Sequence, residues 1–230
     1  MIYQKTWHWL TSPASWAGPQ GIGARTGVYL LDCLLTLVLA ALIALPIGLW
    51  IGHTRRFQQV IVSLTGGMRA LPTLGLLTAL SLWMGIGLGA PLLALTLLAI
   101  PPILAGAYSG VQSVDAQIVD SCHAVGMTGW QTFRLAELPL ALPLIVSGLR
   151  SAAVQIVATW TVAAYLPIEG LGRYIIDGLA VHDYPQMLGG SIVIIVIELF
   201  IDGLFALLEK ACVARGVRLA RGYASAQTEA

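Results

Sequence analysis

Residues 114–143 read VDAQIVDSCHAVGMTGWQTFRLAELPLALP and lie between two long apolar runs. Val114, Ile118, Cys122 and Val125 fall at i, i+4, i+8 and i+11, opposite Asp115, Gln117, Asp120 and His123. That spacing predicts a short amphipathic helix. Gly126 suits a left-handed C-cap, Thr128 with Gln131 matches a capping box, and Pro139 sets the next boundary. The stretch reads as helix, tight turn, helix. Such a knob, fixed between two spans, can carry force from a soluble partner into a membrane; a simple interfacial helix is the blander reading of the same pattern.

The flanking runs decide the environment. Only 10% of the 230 residues are charged, against about 25% in soluble domains, and mean hydropathy is +0.83. Apolar stretches cover residues 27–51, 57–84, 91–109, 140–166 and 188–208, long enough for helices to cross a hydrocarbon core of about 30 Å. They are continuous and rich in Leu and Ala, not the short alternating segments of a strand barrel. The expected class is all-α and polytopic. Cys33, Cys122 and Cys212 offer neither a disulfide framework nor a metal knuckle. The net charge of +1 gives no case for nucleic acid. The first thirty residues lack a cleavable signal pattern, so the first span itself is expected to serve for targeting.

Arg69 and Pro72 interrupt the second stretch, and a split into two short spans would give six in all. Charge placement favours one span. Arg55, Arg56, Arg134, Lys210, Arg215, Arg218 and Arg221 then share a side, seven against the three of Lys5, Arg25 and Arg173. By the positive-inside rule the N-terminus lies outside and the C-terminus in the cytoplasm of a bacterial inner membrane. The cytoplasmic loop is 110–139, and an outer loop at 167–187 carries Glu169, Arg173, Asp177, His182 and Asp183. In residues 1–26, Trp7, Trp9 and Trp16 suit the headgroup layer, so this segment lies along the outer interface or is a disordered tail. Residues 211–230 read as a cytoplasmic tail.

The chain has no phosphate loop of the Gly-x-x-x-x-Gly-Lys type, no His-Glu-x-x-His and no Gly-x-Ser-x-Gly. It is expected not to hydrolyse ATP by itself, to bind no cofactor or metal, and to be no enzyme. Inside the spans stand Arg69, Arg150, Glu198 and Asp202. Glu198 and Asp202, at i and i+4, could serve a proton or cation, which leaves a self-sufficient secondary carrier or channel as the alternative of a different class. No inverted repeat supports it. Arg69 beside Pro72 suits either a structural clamp for freed carbonyls or a pathway residue.

The 114–143 loop resembles the EAA motif of ABC importer permeases: Glu-Ala-Ala, Gly six positions on, then Leu-Pro. Asp120, Ser121, Cys122, Gly126, Leu138 and Pro139 occupy those positions, with Asp for Glu, Ser and Cys for the alanines, and Ala136 where a larger aliphatic is usual. The resemblance runs from about Leu31 to Lys210. MRALPTLGLL, MGIGLGAPLLALTLLAIPPILAGAY, GMTGWQTFRLAELPLALPLIVSGLRSA and DGLAVHDYPQMLGG are similar to the osmoprotectant branch. Pro167, Ile168 and Glu169 depart from its small residues before Gly170.

This resemblance implies the type I importer fold, with five core helices and a cytoplasmic coupling helix. Asp120, Ser121, Cys122, His123, Gly126, Met127, Thr128, Leu138 and Pro139 would form the coupling segment toward an ATPase. It also implies a second permease subunit, identical or related, two ATPase subunits that bind ATP and Mg, and an extracytoplasmic binding protein. The cargo would be glycine betaine, choline, carnitine or a related compound; the alternative is another small polar solute such as an amino acid. Arg69, Pro72, Tyr108, Trp160 and Tyr165 are the candidates for the pathway lining, since aromatic faces attract quaternary ammonium and broken helices line cavities. Ordinary helix packing is the competing account of each.

Overall fold

A computed structural model describes residues 2–55, 63, 65–68 and 70–212. Among these the chain is helical, without a strand. Two short helices, α1 (Ile2–Thr11) and α2 (Pro13–Trp16), lead into α3 (Ile22–Thr54). Then come α4 (Thr73–Met84), α5 (Gly89–Gln112), the small α6 (Ala116–Ala124), α7 (Gly129–Ala163), α8 (Gly172–Ala180) and α9 (Tyr184–Ala211). Helices α3, α5, α7 and α9 are each long and apolar enough to span a membrane. Helix α4 has 12 residues, about 18 Å of rise, so by itself it is too short. Part of the expected second span, including Arg69, lies outside the described residues, as does the tail beyond Cys212. The spans also extend past their expected ends: α3 starts at Ile22, inside the segment assigned to the interface, and α9 starts at Tyr184.

The core is built on α5. Ala94, Leu95, Ala99, Ile103 and Ala107 are at most 1% exposed, with α3 on one flank and α7 on the other. Small residues make this possible. A Cβ at Gly106 would stand 2.7 Å from the Gly148 Cα, and one at Gly48 would stand 2.8 Å from the Ala107 Cβ. Since apolar burial drives little helix association in lipid, such close backbone approaches are what packing must supply. Hydrogen bonds add to it: Tyr29 donates to the Val157 carbonyl, and the Trp160 indole N–H donates to Thr36 Oγ1 at 2.9 Å, joining α3 to α7. Gln155 donates to the Leu98 carbonyl at 3.1 Å, joining α7 to α5.

Helix α9 is different, burying only Gly189, Gly190 and Ile194. Arg150 of α7 grips it, donating from Nε and Nη2 to both Asp202 oxygens at 2.6 and 2.7 Å, with Glu209 at 3.5 Å. At the opposite end, the Trp9 ring of α1 sits over Gly189 and meets Tyr174 edge-on at 5.2 Å. The N-terminal segment is therefore a docked helix, not a loose tail, because α9 opens a glycine notch for an indole.

Helix α7 is continuous through Pro139, where the sequence suggested a boundary. Pro139 has no N–H and its ring crowds the carbonyl four residues back. The helix accommodates it with a π-helical turn over Phe133–Glu137, widening instead of breaking.

Candidate functional site

The segment between α5 and α7 projects at the bundle end where α3 and α9 also finish. Asp115 caps α6, its carboxylate accepting the Gln117 N–H at 2.9 Å. At the other end Gly126 has φ +85°, where a side chain is disfavoured, and its N–H reaches the His123 carbonyl at 2.9 Å while Met127 N–H reaches Cys122 at 3.1 Å. Thr128 then opens α7 with a reciprocal capping box: Gln131 N–H to Thr128 Oγ1 at 3.4 Å, and Thr128 N–H to Gln131 Oε1 at 2.8 Å. The Gly126 turn and the Thr128–Gln131 box are the ones the spacing predicted; the Asp115 cap was not read from it. Several of the donors and carbonyls that helix ends normally leave open are satisfied inside the knob.

Its apolar stripe is split. Val114 is buried, but Ile118 is 41% and Val125 78% exposed, and no residue of α6 is fully buried. Together with Asp115, Gln117, Ser121 and Cys122 they line an open hollow of about 510 Å³. Asp120, Ser121, His123 and Thr128 are exposed around it, with Cys122 and Met127 half-buried. Leu138 instead points inward, packing with Ala107, Val111, Ala141 and Ile145, and Pro139 is half-buried.

One pairing at the root of the knob was not expected from the sequence. His53 in the last turn of α3 meets Glu137 of the π turn, Nδ1 to Oε2 at 2.6 Å. Glu137 is 4% exposed, and the His53 ring stands edge-on to Phe133 at 5.4 Å, which in turn stacks on Trp130 at 5.6 Å. The usable signal was the pair of histidine and carboxylate at opposite margins of apolar runs. Arg55 also reaches back from α3, donating to the Val114 carbonyl at 3.4 Å.

The residues suggested for the pathway are not gathered in one cavity. Trp160 and Tyr108 are 3% and 7% exposed, inside the bundle, with Trp160 bonded to Thr36. Pro72 is the exposed N-cap of α4, Tyr165 is 63% exposed at the far end, and Arg69 lies outside the described residues. Asp202 is engaged by Arg150, while Glu198, a turn away, has no ion pair among the described residues. Asp202 therefore stands as the partner of a cation, not as a free carboxylate beside Glu198. Asp32, 6% exposed in α3, is a charge inside a span that the sequence reading omitted. No three of His, Cys, Asp and Glu gather as a metal site among the described residues.

Residues 44–213 match the family described as "Binding-protein-dependent transport system inner membrane component". The chain belongs to that family. The permease is 28% identical over 194 residues, 84% of its own length and 89% of the relative's, to the glycine betaine/carnitine/choline transport system permease protein OpuCB of Bacillus subtilis. It is 35% identical over 173 residues, 75% of its length and 76% of the relative's, to the choline transport system permease protein OpuBD of the same organism. With the osmoprotectant import permease protein OsmY of Salmonella typhimurium it shares 30% over 169 residues, covering 73% and 72%. In fold, the permease matches an inward-facing MetNI methionine ABC transporter chain with TM-score 0.74 at 19% identity, covering 89% of this chain and all of that one. The type I importer architecture expected from the resemblance is therefore the architecture found.

Proposed function

We propose that this permease subunit carries quaternary-ammonium osmoprotectants across the inner membrane, driven by ATP hydrolysed in a separate pair of subunits. The observation that carries this reading is the knob: a helix capped at both ends, rooted by His53 and Glu137, with Ile118 and Val125 exposed. An exposed apolar stripe on a rigid projection suits a groove in a soluble protein. Asp120, Ser121, Cys122, His123, Gly126, Met127 and Thr128 would meet the ATPase, and Leu138 and Pro139 would transmit its movement into α7. ATP and Mg belong to that partner. A second permease subunit would complete the pathway, and an extracytoplasmic binding protein would deliver cargo at the α8 end, with the α6 end in the cytoplasm. The cargo of the relatives, and not the geometry, supports the choice of glycine betaine, choline and carnitine.

The test is ATP-dependent uptake of labelled glycine betaine and choline into vesicles holding this chain with its ATPase and binding protein, beside a Gly126→Asp version. Uptake in the wild type, lost in Gly126→Asp at equal membrane abundance, is the expected result. Uptake that persists without the ATPase would overturn the importer reading, and uptake of an amino acid but of neither test solute would move the cargo class.

A further inference from the structure

At the α8 end, α1, α2, the start of α3, α8 and the start of α9 line an open hollow of about 470 Å³, bordered among others by Trp9, Gln20, Arg25, Tyr174, Asp177 and Gln186. It lies at the start of α3, the end opposite His53 and the knob. Its charge is unusual for a packing defect. Arg25 is 6% exposed, yet its Nε has no hydrogen-bond partner, and Glu169, at 3.6 Å, is within ion-pair range only. The guanidinium lies 4.5 Å over the Tyr174 ring. A buried cation with an open donor is costly unless something accepts from it.

The rest of the wall is held in place by its own bonds. Tyr174 donates to the Gln20 carbonyl at 2.6 Å, and Gln186 donates to the Tyr174 carbonyl at 3.2 Å. Burial pushes the Tyr174 phenol above its ordinary pKa, with Glu169 adding to the rise and Arg25 opposing it. Tyr174 is thus a neutral donor already engaged, and its ring is a fixed platform. Trp9 is locked over Gly189. Asp177, one turn along α8, is paired with Arg173 and still lines the hollow.

With Glu169 in ion-pair range of Arg25 and Asp177 paired with Arg173, the walls are charge-balanced, so a lone anion or a lone cation would bring an uncompensated charge into the hollow. A small solute bearing both charges satisfies both walls, with its ammonium against the Trp9 indole. We propose that this hollow is a binding site for a small zwitterion, whose carboxylate accepts from Arg25 and whose ammonium group rests against Trp9 and Asp177. The site is on the permease itself and needs no other subunit. It rests on the osmoprotectant reading only for the choice of glycine betaine as probe.

The experiment is equilibrium binding of labelled glycine betaine to the full chain in nanodiscs of phosphatidylglycerol alone, so that no zwitterionic headgroup competes, with ATP and binding protein omitted. Saturable binding is expected, with acetate and choline competing roughly tenfold or more less well, each lacking one charge-assisted contact. Arg25→Gln and Asp177→Asn should each weaken it by a similar factor. If Arg25→Gln does not fold, Asp177→Asn decides. Absence of saturable binding, acetate or choline binding as well as glycine betaine, or undiminished binding in a folded variant would overturn the site. ATP-driven uptake measured in parallel separates the two readings. Uptake without binding removes the site and leaves the importer, and binding without uptake leaves the site and removes the importer.

Discussion

Gly126 shows how a single residue sets the shape of the knob. Its φ of +85° is what ends α6, and nothing lies within 4 Å of an added Cβ, so an uncharged substitution there acts through backbone strain and not through collision, whereas Asp adds a carboxylate to the face offered to the ATPase. Asn tolerates this region better than other residues, whereas a β-branched side chain costs on the order of 1–2 kcal/mol. Gly126→Asn should retain most ATP-driven uptake and Gly126→Val should lose much of it, both at wild-type abundance; equal activity of the two would remove the left-handed turn from the mechanism. His53 works differently. His53→Leu leaves the buried Glu137 carboxylate without its partner, a penalty of about 1–3 kcal/mol. The expected result is a lower thermal midpoint in detergent and ATP hydrolysis less dependent on cargo, while a variant that also carries Glu137→Gln recovers stability but not coupling.

Among the elements, α5 is held by contacts that have no slack. Gly106 faces Gly148 backbone to backbone, and Gly48 and Gly52 of α3 face Ala107, Tyr108 and Val111 of α5. Gly106→Ala brings a methyl within 2.7 Å of the Gly148 Cα and 2.8 Å of the Leu144 carbonyl, neither of which can swing aside. Overpacking of this kind costs roughly 1–3 kcal/mol, so the midpoint of thermal unfolding should fall; Gly23→Ala, with open space around its Cβ, should leave it unchanged. The two glycine pairs were visible in the sequence as GLWIG at 48–52 and GAYSG at 106–110, i and i+4 within apolar runs. Apolar run length located the four long helices and helical periodicity located the knob, because those signals are local. Which aromatic faces a cavity is a tertiary fact: Trp160 has the same composition around it whether it lines a pathway or, as found, donates to Thr36. The His53–Glu137 and Arg25–Tyr174 pairs join residues 84 and 149 positions apart, and no local pattern announces such partners.

For the whole molecule, orientation is open to a direct chemical test. Cys33 is buried, whereas Cys122 on α6 is half-exposed. In a Cys212→Ser background, a membrane-impermeant maleimide should label Cys122 in inside-out vesicles and not in right-side-out ones; the reverse pattern would invert the assigned topology. The π turn at Phe133–Glu137 has its own consequence at this scale. A wide turn in a helix takes up one surplus residue without changing where the helix on either side points. In terms of descent, it marks a place where the gene can gain or lose a codon cheaply. In a Pro139→Ala background, where no ring crowds the Leu135 carbonyl, deleting one residue within 133–136 should leave an ordinary α-helix with the knob still aimed as before and wild-type membrane abundance, whereas the same deletion within 144–147 would rotate the knob by about 100° against the bundle. The length of this chain is therefore negotiable at the root of its lever and fixed along the shaft.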